Sequence, residues 1–170
     1  RLVSERPRVI LIGPPASGKT KIGKLVAKGL AAPFLDTDQI LVARYGPIPA
    51  IFADQGEAWF RLREAEAVAE SLTAPGVLSL GGGAVTIEAT RTALAGHRVV
   101  WLDITEDAVA PRLDNDKRPF LAGGLADWRV LVESRKPLYE EVSEHRVDVS
   151  HRPIQEVADD IVAWVESQND

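Results

Sequence analysis

Residues 13–20 read Gly13-Pro14-Pro15-Ala16-Ser17-Gly18-Lys19-Thr20, a complete G-x-x-x-x-G-K-[ST]. Four residues between the glycines let the backbone wrap a phosphate so that successive N–H groups point inward, and a helix starting at the lysine adds the partial positive charge of its N-terminus. Lys19 would then reach the β and γ phosphates, and Thr20 would offer its hydroxyl to a magnesium ion. The plainer alternative is a chance glycine-rich turn, and it is weakened by the context: an apolar run (9–12) precedes the motif and an amphipathic segment (19–30) follows it.

Asp36-Thr37-Asp38 follows a second short apolar run. If this stretch is extended, alternation turns both carboxylates the same way and Thr37 the other. One carboxylate could hold the metal while the other accepts the proton of an attacking hydroxyl. The competing reading is a helix cap, since an aspartate before 39–43 is a good N-cap. Gly81-Gly82-Gly83, after the run 77–80, would let the backbone approach a ligand closely or would be only a tight turn. Arg61, Arg118 and Arg135 exceed what one nucleotide needs. Each could be a solvated surface charge; if two line a pocket, the acceptor should carry a carboxylate or phosphate, which guanidinium pairs with in bidentate fashion.

These residues need a scaffold, and short apolar runs alternating with helical periodicity predict a parallel α/β sheet wrapped by crossover helices. Strands are expected at 9–12, 34–35, 77–80, 99–102 and 147–149. Helices are expected at 19–30, 57–72, 86–95, 105–113, 128–144 and 154–166, with Gly96 ending the third and Pro153 opening the last. Residues 45–49, with a glycine and two prolines, read as a loop, and 114–124 as a lid. A chain of 170 residues fits one domain.

Composition narrows the function classes. With 45% hydrophobic and 26% charged residues the chain is of ordinary globular type, and no apolar run approaches the ~20 residues of a spanning helix. A net charge of −5 argues against nucleic-acid binding. The absence of cysteine removes disulfides, thiolate metal sites and a cysteine nucleophile. Residues 1–8 do not read as a signal peptide, so a cytoplasmic location is expected.

The phosphate loop, Asp36-Thr37-Asp38, Phe60-Arg61, Leu80-Gly81-Gly82-Gly83-Ala84, Arg118-Pro119-Phe120-Leu121 and Arg135-Lys136-Pro137-Leu138-Tyr139 stand in an order and spacing that resembles the shikimate kinases, from about residue 9 to 153. The resemblance implies a P-loop kinase fold, a five-stranded parallel sheet of order 2-3-1-4-5 flanked by helices, with a lid around 112–125. It implies transfer of the ATP γ-phosphoryl group to the 3-hydroxyl of shikimate, with magnesium. Carried over by motif, Lys19, Asp38 and Arg118 are catalytic. The ATP site takes Gly13, Pro14, Ala16, Ser17, Gly18, Lys19, Thr20, Lys21 and Arg118, with Arg112, Arg152 and Pro153 against adenine. Asp38, Arg61, Gly81, Gly82, Gly83 and Arg135 hold shikimate, and Thr20 and Asp36 serve the metal. A monomer is expected, with shikimate and ATP as partners and neither nucleic acid nor membrane. The spacing from Arg112 to Arg118 is one residue shorter than in some relatives, which bears on adenine rather than on the reacting groups. A gluconate-type kinase on the same fold and a nucleotide-dependent switch are the alternatives; a switch has little use for Asp38, Arg61 and Arg135 as a separate anion pocket.

Overall fold

A computed structural model describes residues 5–113 and 121–168. Five parallel strands form one sheet: β1 (Pro7–Ile12), β2 (Phe34–Asp36), β3 (Gly76–Ser79), β4 (Val99–Asp103) and β5 (His145–Asp148), in the spatial order β2-β3-β1-β4-β5. Eight α-helices stand among the described residues: α1 (Lys19–Gly29), α2 (Thr37–Tyr45), α3 (Ile48–Gln55), α4 (Glu57–Ser71), α5 (Glu88–Leu94), α6 (Glu106–Leu113), α7 (Leu125–Val142) and α8 (Ile154–Ser167), with a 3-10 turn at Ala84–Thr86.

Strand alternation divides the core into two faces. Val9 and Leu11 of β1, with Val100 and Leu102 of β4, pack against α1, α8 and the start of α7. Ile10, Ile12, Val99 and Trp101 face the other way, onto α4, α5 and Tyr139. Both faces are covered, which is why residues 9–12 of β1 and 99–102 of β4 are apolar without polar interruption. A third cluster of Leu41, Ile51, Phe60 and Ala67 binds α2, α3 and α4 into a unit beside the sheet. Helix α7 belongs to both faces: Trp128 is buried in the first core and Tyr139 in the second.

Several boundaries differ from the expectations. Residues 45–49 are not a loop: only Gly46 and Pro47 separate α2 from α3, because Pro49 occupies the second position of α3, where its missing N–H is not needed. Residues 37–38 are not extended: Asp36 is the N-cap of α2, and Asp38 lies in the helix's first turn. β5 begins at His145 rather than at 147, since a partly exposed edge strand carries charged residues that an apolar-run criterion passes over. Of the expected lid, Arg112 and Leu113 are the last turn of α6 and Leu125 opens α7, while 114–120, with Arg118, lie outside the described residues. Among the described residues no helix is long and apolar enough to cross a membrane.

Candidate active site

At the carboxyl edge of the sheet, where the turns after β1, β2 and β3 converge, the structure has a cavity of about 990 Å³. Its lining includes Lys19, Thr20, Asp36, Asp38, Arg61 and the three glycines 81–83. The sequence-predicted phosphate loop and the acceptor residues Asp38, Arg61 and Gly81 to Gly83 thus share one space, while Arg135 does not line it.

The phosphate loop forms one wall. Gly13 adopts φ +151°, and a Cβ there would collide with the Leu102 carbonyl oxygen, a place with no room for a side chain. Ser17 is fully buried, its hydroxyl donating to the Pro14 carbonyl at 2.8 Å; it braces the loop from within. Gly18 caps α1 with φ 91°, and the first turn of α1 contains no acidic residue, so the positive end of the helix is left for an anion. The Lys19 ammonium donates to the carbonyls of Gly13 and Pro14, at 2.8 Å each, which holds its charge at the mouth of the loop. Arg112, on α6, donates to the Ala16 carbonyl at 2.9 Å and brings a second cation to the same wall.

Asp36 does two jobs. Its Oδ1 accepts the backbone N–H of Asp38 at 2.9 Å, capping α2, and its Oδ2 accepts the Thr20 hydroxyl at 2.7 Å. The cap reading and the metal reading of this aspartate are therefore compatible. A hydroxyl and a carboxylate at one point are hard oxygen donors suited to magnesium. Among the described residues no group of three or more acidic or histidine side chains is placed to hold a metal ion.

The acceptor side is built on close approach to glycine. A Cβ on Gly81 would lie 2.6 Å from Asp38 Oδ1 and 2.7 Å from Glu64 Oε2; on Gly82 it would press on Pro15 at 3.2 Å; on Gly83 it would overlap the Arg61 guanidinium. Glycine at all three positions lets two carboxylates, the phosphate loop and a guanidinium crowd one backbone turn. Thr37, in the first turn of α2 rather than in an extended stretch, accepts the Gly81 N–H at 3.2 Å and fixes that turn to α2, so it approaches the same glycine as Asp38 instead of pointing back.

Arg61 is 6% exposed, its Nη1 donating to Glu64 Oε1 at 2.8 Å and its Nε and Nη2 to Glu57 at 3.3 Å. Glu64 is buried more completely, and desolvation pushes its carboxyl above the ordinary range, partly offset by Arg61. Arg135 is 4% exposed and sits in the wall behind this pair, where desolvation and then the charge of Arg61 pull its pKa down while the Tyr139 hydroxyl and Glu64 support its charge. Two guanidiniums 74 positions apart in the chain are thus brought within electrostatic reach of each other.

Two adenine contacts are not brought into this cavity. Arg152 donates to Glu156 at 2.9 Å and to Asp160 at 2.5 Å beside a smaller depression, and Pro153 serves as the N-cap of α8, whose Ile154 reaches the cavity rim. Glu64, Thr37 and Trp128, whose indole N–H donates to the Pro15 carbonyl at 3.0 Å, were missed by sequence reasoning. Glu64 alone left a signal, standing one turn after Arg61 where an i,i+3 ion pair forms.

Comparison with known proteins decides the family, as residues 15–166 match the family model for shikimate kinase. The chain belongs to the shikimate kinase family. It is 48% identical over 151 residues to a shikimate kinase of Mycobacterium avium, covering 86% of each chain. It is 41% identical over 165 residues to one of Corynebacterium efficiens, covering 95% of this chain and 98% of that one. A structure of shikimate kinase from Acinetobacter baumannii in complex with shikimate superposes with a TM-score of 0.89 at 33% identity, covering 96% of this chain and 94% of that one. The chain is therefore an ATP-dependent kinase of the shikimate kinase type, with the sheet order expected for it.

Proposed function

We propose that this chain moves the γ-phosphoryl group of ATP to the 3-hydroxyl of shikimate with the following division of labour. The observation that carries it is Arg61, buried in the cavity wall beside Asp38 and the glycine turn and opposite the phosphate loop, with the buried Arg135 guanidinium behind it within electrostatic reach. Two cations that repel one another favour a ligand carrying an anion between them, and the shikimate carboxylate supplies it. With the carboxylate fixed, Asp38 takes the proton of the attacking hydroxyl as its oxygen bonds to phosphorus, and ADP leaves with the electrons of the broken bond.

Lys19, the start of α1 and Arg118 stabilise charge on the transferring group, and Gly13, Pro14, Ala16, Ser17, Gly18 and Lys21 wrap the phosphates. Arg112, which lines the cavity, faces the adenine, while Arg152 and Pro153 stay outside it and are given no part in the nucleotide site. Thr20 and Asp36 hold magnesium, which would neutralise phosphate charge. The chain works as a monomer in the cytoplasm, where ATP is supplied.

A coupled ADP-release assay with shikimate against a panel of polyol acids tests the assignment, with shikimate preferred by kcat/KM. Asp38→Asn keeps the size but removes the proton acceptor, so kcat should fall by about 10²-fold or more. A rise confined to KM would make Asp38 a binding residue only.

A further inference from the structure

We infer that Tyr139 is a positioning residue of the acceptor site, its hydroxyl tying the Arg135 guanidinium to the Gly82–Gly83 peptide. The inference rests on the acceptor pocket proposed above. Tyr139 is 0% exposed at the inner end of α7, its ring against Trp101 with centroids 5.7 Å apart. A ring packed this well has no need of an oxygen for burial, yet the hydroxyl donates to the Gly82 carbonyl at 2.6 Å, across 57 positions of the chain. A phenol has one proton. Once that proton is given to Gly82, the remaining lone pairs can only accept, and Arg135, one helical turn earlier on α7, is the cation that interacts with the hydroxyl. Burial pushes the phenol up to about 12, so it stays protonated and able to donate at neutral pH.

The chemistry at the other end follows from the peptide plane. The Gly82 carbonyl and the Gly83 N–H belong to one peptide unit, and every described peptide bond is trans, so the N–H points opposite to the carbonyl. Holding the carbonyl on Tyr139 therefore fixes the direction of the Gly83 N–H, and polarisation through the peptide makes that donor stronger toward an anion. A Cβ on Gly83 would overlap the Arg61 guanidinium. One hydroxyl thereby sets two groups, the Arg135 guanidinium and a backbone N–H beside Arg61, with no contact to the substrate itself.

Tyr139→Phe removes the oxygen and keeps the ring, and is to be assayed in the full chain with shikimate and with its carboxamide. In the native protein the carboxamide should be the poorer substrate; if the two are equal, the carboxylate pocket is wrong and this inference goes with it. In Tyr139→Phe, kcat/KM for shikimate should fall about tenfold, mostly through KM, and the preference for carboxylate over carboxamide should shrink by a similar factor. KM for ATP should stay within about twofold. Placed in an Arg135→Ala background, the same change should cost much less than alone, because the group it positions is gone. Shikimate kinetics within about twofold of native, or equal losses for ATP and shikimate, overturn the inference, the second outcome marking a purely structural tyrosine. Should the variant not fold, the native protein still decides: the NMR signal of the buried Tyr139 hydroxyl proton should shift on saturation with shikimate, and a signal that shifts no more than with ADP overturns it.

Discussion

The Trp128 indole N–H donates to the Pro15 carbonyl at 3.0 Å across 113 positions of the chain, so α7 grips the phosphate loop from below. Eleven residues on, about 16 Å along the axis, the same helix grips the glycine turn through Tyr139. Trp128→Phe keeps an aromatic ring but leaves a buried carbonyl without its donor, a loss of about 1–3 kcal/mol. Melting temperature should drop and KM for ATP should rise severalfold, with shikimate affinity unchanged. Lower stability with an unaltered KM for ATP would show that the loop holds its shape without Trp128.

Asp36 separates its two jobs under one substitution. Asparagine is as good an N-cap as aspartate, so Asp36→Asn should leave the start of α2 intact and stability within about 0.5 kcal/mol. What it loses is the charge facing Thr20 at 2.7 Å. The magnesium concentration for half-maximal activity should rise by about tenfold, a size seen when a partner of a metal ligand is altered. An unchanged magnesium dependence would leave Asp36 as a cap alone.

How far such roles were legible beforehand depends on where their physics is written. The phosphate loop was readable because its spacing is local: Gly13, Gly18, Lys19 and Thr20 act through one turn of backbone. The buried strands were readable because β1 and β4 are covered on both faces. Helices α2 and α3 were not, since their apolar residues face a small side core of Leu41, Ile51 and Phe60 rather than the sheet, and prolines at 47 and 49 look like breakers until one is placed in a helix's first turn. Arg61 and Arg135 were named as candidates, but their juxtaposition, and the burial of Glu64 between charges, are properties of packing that spacing does not carry.

Glu64 gives a pH test. Its folded pKa lies above its ordinary value of 4.5, with desolvation the leading cause, so the folded state binds this proton more tightly than the unfolded chain does. The contribution of Glu64 to stability is therefore fully present below the unfolded pKa and is lost as pH rises through the folded one. Glu64→Gln cannot titrate. The melting temperature of the variant minus that of the native protein should become more positive as pH rises from about 4 toward neutrality. A difference that is flat or falls over that range would mean that Arg61 holds Glu64 as a carboxylate throughout, and that the ion pair at 2.8 Å outweighs burial.

The glycine turn offers the sharpest separation between the two substrates, because its neighbouring positions face different walls. Gly83 has φ −102° and ψ 4°, a conformation open to alanine, so Gly83→Ala brings no backbone strain of the left-handed kind and acts through its new methyl group alone. That methyl would overlap the Arg61 guanidinium, which Glu57 and Glu64 hold in place, so the guanidinium must shift or the turn must move. A displacement of about 1 Å in a positioning group can cost roughly 10²-fold in rate. Gly83→Ala should accordingly lower kcat/KM for shikimate by about 10- to 100-fold while KM for ATP changes little. At Gly82 the methyl would meet Pro15 at 3.2 Å instead, a tight contact with the phosphate loop. Gly82→Ala should therefore raise KM for ATP, with a milder effect on shikimate. If both variants lost the two substrates in the same proportion, the turn would be moving as one piece, and the division of the cavity into a nucleotide wall and an acceptor wall at Gly82 would have to be abandoned.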